Sequence, residues 1–170
     1  MAVSSSIHHK ADPAWLLTAE GTPRGYIQPE TLRELWLHTG TACNLRCPFC
    51  LEGSAPGNHR LEQMHFEEVH PLLEEALALG VEKFSLTGGE PFVNRDVVRI
   101  LEFALSRRPC LVLTNGTAPL RKRLPEILPL RRQPHSLRFR ISIDYADIAR
   151  HEAGRGEATF AYALESAVLL

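Results

Sequence analysis

The chain is 170 residues long, 44% hydrophobic, and carries a formal net charge of −1. This length is enough for one domain with its own core. A near-neutral balance gives no global attraction to nucleic acid or anionic lipid, and no stretch reaches the apolar length of a membrane span. Four cysteines, three of them clustered, argue against a disulfide framework and for metal binding in a reducing, cytoplasmic setting.

Residues 1–31 are rich in Ser, Pro, Gly and Thr and weakly periodic, and they read as an N-terminal extension. Trp15-Leu16-Leu17 is its candidate docking element. Met1 to Lys10 contains no apolar run, so a secretory signal is not expected. The regular pattern occupies residues 32–170. Leu35-Trp36-Leu37-His38-Thr39 suits a buried strand and leads directly into the cysteine loop. Phe66, Val69, Leu73 and Leu77 recur at helical spacing before Gly80. Pro71 is harmless in the first turn of that helix and would kink it deeper in. Lys83 to Thr87 is a second strand, closed by Gly88-Gly89. Asn94 is the expected N-cap of a helix that carries Val97, Leu101 and Ala104 on one face. Cys110 to Thr114 is a third strand, stopped at Asn115-Gly116, and Cys110 reads as a buried structural thiol. A Pro-punctuated helix covers Leu120 to Leu130. Leu137 to Ile143 alternates as a fourth strand, and a last helix runs from Thr159 to Leu170. Arg121-Lys122-Arg123 and Arg131-Arg132 read as solvated faces.

Strands alternating with helices predict an α/β fold with parallel βα units. In such folds the chemistry lies where strands end and the loops into helices begin. The unusual motifs all fall at that edge: the cysteines after strand one, Gly88-Gly89-Glu90-Pro91 after strand two, Asn115 after strand three, and Ser142 and Asp144 at the end of strand four.

Cys43, Cys47 and Cys50 are spaced C-x3-C-x2-C. Three close thiols suit a soft centre, either an iron–sulfur cluster or zinc. A structural zinc site needs a fourth ligand, for which His38, His59 and His65 are the candidates. Phe49 is placed to shield such a centre, Asn44 to brace the loop through local hydrogen bonds, and Arg46 to offset negative charge. Gly88 and Gly89 let backbone approach a ligand closely. Glu90 either sets negative charge beside an ammonium or braces its turn. Ser142 and Asp144 offer a hydroxyl and a carboxylate to a polar ligand, or cap the next helix. Asn115 either faces the same cavity or simply makes an Asn-Gly turn.

Cys43/Cys47/Cys50 and Gly88-Gly89-Glu90-Pro91, each following a strand, resemble the motifs of radical S-adenosylmethionine (radical SAM) enzymes. His151-Glu152-Ala153-Gly154-Arg155-Gly156, with Phe160 beyond, is similar to that family's His-Asp-x-x-Arg-Gly-x-x-x-Phe stretch, with Glu152 in place of Asp. The resemblance implies a parallel (βα) partial TIM-like barrel with about four of six units present. The core would then be truncated at its C-terminus, with an open edge on strand four and an apolar last helix. It also implies a [4Fe-4S] cluster on the three cysteines, with the amino and carboxylate groups of S-adenosylmethionine on the open iron. An electron from a donor such as flavodoxin or ferredoxin would cleave S-adenosylmethionine to methionine and a 5′-deoxyadenosyl radical, which abstracts hydrogen from a substrate. By the same resemblance, the turn of Gly88, Gly89, Glu90 and Pro91 bonds the methionine amino group; Asn115, Ser142, Asp144 and Arg155 are the further candidates for contact with S-adenosylmethionine, Arg155 by pairing the ligand's carboxylate, and no protein residue is assigned a catalytic role. Gly-Gly-Glu-Pro-Phe with Thr-Asn-Gly looks like the branch that modifies peptides or matures cofactors. The chain is expected to bind a cluster, whereas turnover by so short a core is not expected. A zinc-stabilised binding module and an inactive remnant are the alternatives.

Overall fold

In the computed structural model, residues 16–25 and 31–170 are described; Trp15, and with it part of the expected docking element, lies outside them. The chain divides into two units, residues 1–30 and 31–170. In the first, Leu17 and Pro23 form an antiparallel bridge, and the Arg24 Nε donates to the Leu17 carbonyl at 2.7 Å.

The second unit is built on one parallel sheet of four strands in the order β1-β2-β3-β4: β1 Glu34–His38, β2 Lys83–Thr87, β3 Cys110–Thr114 and β4 Leu137–Ile141. Helices α1 (Phe66–Ala78), α2 (Val97–Leu105) and α3 (Ala118–Ile127) make the crossovers. Helices α4 (Ile148–Arg155) and α5 (Thr159–Leu169) follow β4. The register aligns Leu37, Leu86 and Val112 in one row and Leu35, Phe84, Cys110 and Leu137 in the next. Side chains alternate across a strand, so these rows share one face. That face packs against Val69 and Leu73 of α1, Ile100, Leu101 and Leu105 of α2, and Leu120 of α3, all buried. The opposite, open face carries Trp36, Lys83, Ser85, Leu111, Leu113, Arg138 and Arg140.

Several details differ from the sequence expectation. β1 begins one residue earlier and ends at His38; Thr39 nevertheless extends the ladder, its N–H and hydroxyl donating to the Thr87 carbonyl at 2.8 and 2.9 Å. Pro71 is the sixth residue of α1, past the first turn, and leaves the Glu67 carbonyl without its helical donor. β4 ends at Ile141, although the Ser142 N–H still donates to the Thr114 carbonyl at 3.0 Å. Cys110 is buried as expected, and burial pushes its thiol up to about 12.

Asn94 is not the N-cap of α2; Asp96 holds that position. Asn94 is buried and used as a strut. Its amide donates to the carbonyls of Thr39 and Met64 at 3.2 and 2.9 Å, and its oxygen accepts from the Asp96 N–H at 2.8 Å. Asp96 in turn caps the neighbouring helix: its Oδ2 accepts from the Phe66 N–H at 3.2 Å and lies 3.1 Å from His65 Nδ1. The bond from Phe66, with that of His65, holds the Asp96 carboxyl below its ordinary range. A depressed folded pKa contributes stability that is present above the unfolded value of about 4 and lost as pH falls through the folded one. Asp96→Ala is therefore expected to lower stability by about 1 kcal/mol at neutral pH, and the gap to the wild type should close on acidification, read from urea midpoints at pH 7 and pH 3.

Candidate active site

The chain leaving β1 and the turn leaving β2 are joined backbone to backbone. The Gly89 N–H donates to the Gly40 carbonyl at 2.9 Å, and the Glu90 N–H to the Ala42 carbonyl at 3.1 Å. A Cβ on Gly89 would lie 2.3 Å from the Ala42 oxygen, and one on Gly88 (φ +142°) 2.6 Å from the Thr39 hydroxyl. The protein's own backbone thus requires both glycines, besides any close approach to a ligand. This contact fixes the cysteine loop over the C-terminal edge of the sheet. The Cys43 N–H adds a bond to the Ala55 carbonyl at 3.3 Å, and the Cys50 N–H to the Cys47 carbonyl at 3.1 Å.

Cys43, Cys47 and Cys50 are free thiols that line one cavity of about 250 Å³. Gly88, Gly89, Asn115, Ser142 and Arg155 share its wall, together with Thr87 and Leu113 of the open sheet face. Burial pushes the Cys43 and Cys47 thiols up, and the Arg155 guanidinium opposes the shift at Cys47. Thiolates on a single zinc ion sit about 2.3 Å from it and converge on one point. The three thiols share this cavity wall, and His38, His59 and His65 do not line it. Among the described residues no three His, Cys, Asp or Glu side chains gather as ligands of one ion. Three thiols with no histidine on the same wall are a donor set that suits an iron–sulfur cluster. Ser54, also on the wall, keeps a buried hydroxyl with no partner among the described residues.

Glu90 lies beneath the cavity, fully buried. Its carboxylate accepts from the Asn115 N–H at 2.7 Å, the Thr114 hydroxyl at 2.8 Å and the Phe92 N–H at 3.2 Å. Of the two roles open to it, the structure shows the brace: it ties the turn after β2 to the turn after β3. Burial raises its pKa to about 7, against the pull of those three donors. Pro91 is buried beside it as the first residue of a short 3₁₀ turn.

Arg155 and Asp144 are engaged with each other. Arg155 donates through Nε and Nη2 to both Asp144 oxygens, at 2.5 and 2.9 Å. The pair holds the Asp144 carboxyl below its ordinary range. Asp144 is not on the cavity wall; Ser142 and Arg155 are. Residues 148–155, assigned no element from the sequence, form α4, with Asp147 accepting from the Arg150 N–H at 2.8 Å. A helix carrying Gly154 is hard to foresee. Its reason is tertiary, since a Cβ on Gly154 would lie 2.6 Å from the Phe49 ring. His151 is buried in α4, where Nδ1 accepts from the Asp144 N–H at 3.3 Å.

Thr117 was not anticipated. It forms a closed set with Asn44 and Asn115, and the clue in the sequence was the Asn-x-Thr spacing that favours an Asx-turn.

The Radical SAM superfamily model matches residues 37–170. The chain belongs to the radical SAM superfamily. Radical SAM enzymes use a [4Fe-4S] cluster and S-adenosylmethionine. Among curated proteins, the chain is 35% identical over 146 residues to the GTP 3',8-cyclase of Synechococcus elongatus, covering 81% of this chain and 43% of that protein. It is 30% identical over 125 residues to the GTP 3',8-cyclase of Marinobacter nauticus, covering 72% and 36%. The radical SAM chain thus spans less than half the length of these relatives. Among solved structures, Streptococcus suis SuiB bound to S-adenosylmethionine superposes with a TM-score of 0.63 at 19% identity, over 82% of this chain and 32% of that one. BtrN in complex with AdoMet and 2-DOIA gives 0.51 at 17%, over 79% and 56%. These likenesses establish the shared α/β, TIM-like fold.

Gly89→Ala tests the backbone contact on which this radical SAM site stands. With backbone on both sides of the clash, relief requires moving the cysteine loop, so a loss of about 3 kcal/mol or more is expected in chemical denaturation.

Proposed function

We propose that this chain holds a [4Fe-4S] cluster on Cys43, Cys47 and Cys50 and binds S-adenosylmethionine beside it, as radical SAM enzymes do. The observation that carries this reading is the single cavity shared by the three free thiols, the Gly88-Gly89 turn, Ser142 and Arg155. The bound cluster would supply one electron to the sulfonium, releasing methionine and a 5′-deoxyadenosyl radical.

The protein's own residues would position and shield. The turn at Gly88 to Pro91, braced by Glu90, offers backbone groups to the methionine amino end. Arg155 still has donors beyond the two it gives Asp144, and these suit the carboxylate. Ser142 suits a ribose hydroxyl. Phe49, packed between Gly154 and the Arg155 guanidinium (5.7 Å from the ring centre), covers the cysteine loop. A flavodoxin or ferredoxin in the cytoplasm is the electron donor this reading requires.

The substrate would lie on the open sheet face, below the cavity. Arg140 is one side-chain step (about 7 Å) below Ser142 on that face, and Arg138 is a further step down. Lys83 is matched by Glu34 at 2.9 Å, while Arg138 and Arg140 are exposed and without an ion-pair partner among the described residues. Two free guanidinium groups suit an anionic substrate better than a neutral one. The curated relatives are named for GTP, which makes GTP the first compound to examine.

Anaerobic treatment with iron and sulfide is expected to give a protein with about four irons and four sulfides and an EPR signal on reduction; Cys47→Ala should abolish both. Stoichiometric zinc without sulfide would end the reading. Arg138→Ala/Arg140→Ala is expected to weaken GTP binding to the reconstituted chain at least about tenfold, with a reduced salt dependence. Equal binding by both proteins would remove GTP, and with it the anionic class, from this face.

A further inference from the structure

The Asn115 side chain has no polar atom to spare among the described residues. Its amide oxygen accepts from the Thr117 N–H at 3.0 Å and the Thr117 hydroxyl at 2.6 Å. A backbone N–H only donates, so the oxygen must face Thr117 and the NH2 must face the other way. On that side it donates to Asn44 Oδ1 at 3.0 Å and to Cys43 Sγ at 3.9 Å. Asn44 closes the ring by donating to Thr117 Oγ1 at 2.9 Å. The Asn115 backbone is pinned as well, its N–H on Glu90 at 2.7 Å. Cys43 Sγ also receives the Leu45 N–H at 3.4 Å. Cys43 is therefore the thiol with two N–H donors, one of them a side chain anchored 72 residues away. Cys47, by contrast, faces the charge of Arg155.

We infer that Asn115, held by Asn44 and Thr117, is a positioning residue that sets the reduction potential of the cluster through its N–H···S bond to Cys43; this rests on the cluster reading above. One-electron reduction adds negative charge to the cluster and its thiolates. A donor to a thiolate sulfur stabilises the reduced form more than the oxidised one and raises the potential. The rigid ring matters because a free amide would lose the geometry to thermal motion. Asn115 lines the cavity, yet both its amide hydrogens are committed to the cysteine loop.

The test is an EPR-monitored redox titration of the reconstituted full chain, wild type against Asn115→Leu, which keeps the shape and removes the donors. The variant is expected to reach half-reduction at a more negative potential. A loss of about tenfold in the oxidised-to-reduced equilibrium corresponds to about 59 mV for one electron. Thr117→Val, which never touches the sulfur, should shift the potential the same way by less, and Thr117→Ser should restore it. Wild-type potential in Asn115→Leu overturns the inference. Variants that fold with wild-type circular dichroism yet take up no cluster also overturn it, because the ring would then be scaffolding alone. Failure of the wild type to take up iron and sulfide overturns the cluster reading first and this inference with it.

Discussion

The site depends on one close approach, the Gly89 backbone against the Ala42 carbonyl. No atom can be added there, and the two adjacent hydrogen bonds fix the spacing. Because parallel pairing continues past the ends of β1 and β2, the cysteine loop cannot swing away from the sheet edge. The thiols therefore face the ends of β2, β3 and β4, and the cavity between them is set by sheet geometry more than by the loop's own sequence. A loop of eight residues carrying three thiols has little internal structure to hold it, so the neighbouring strand supplies the rigidity.

Polar groups do the same work one layer lower. Glu90 is buried and satisfied by three donors from two segments, and it joins the second and third βα turns. Leaving such a carboxylate unpaired would cost several kcal/mol, so the turns that donate to it are locked together. Above it, the ring of Asn44, Asn115 and Thr117 ties the third turn back to the cysteine loop. The Asp144–Arg155 pair and the contact of Gly154 with Phe49 bring the fourth unit against the same loop. Three turns and one helix thus meet around the thiols, each through contacts between residues far apart in the chain.

Membership of the radical SAM superfamily gives this arrangement a meaning that geometry alone would not. The family's chemistry needs a cluster with one open corner, a sulfonium ligand beside it, and a substrate within reach of the radical. The open sheet face carries Arg138 and Arg140 on the strand that ends at this cavity.

Much of the frame was legible in the residues themselves. Strands two and three were found at their true limits because short apolar runs ended in Gly-Gly and Asn-Gly. The apolar spacing of α1 and α2 marked the faces that are buried, since a period of 3.6 and a buried stripe are the same fact. The three cysteines and the glycine turn were visible because their residue types are rare at that spacing. What stayed hidden had its cause in distant contacts. Asn94 reads as a cap yet is a strut, because its partners, Thr39 and Met64, lie 55 and 30 residues earlier. The helix over residues 148–155 is absent from the sequence reading, and only Phe49 explains its Gly154. Asn115 and Arg155 both line the cavity, and the protein partners that each also has were not visible in the sequence. Sequence by itself determined the order of elements, the buried faces and the metal-binding residue types, since these follow from local periodicity and side-chain chemistry. Tertiary structure alone decided which polar groups are spent inside the protein and which are left for a ligand, because a hydrogen bond depends on distance in space and not on separation along the chain.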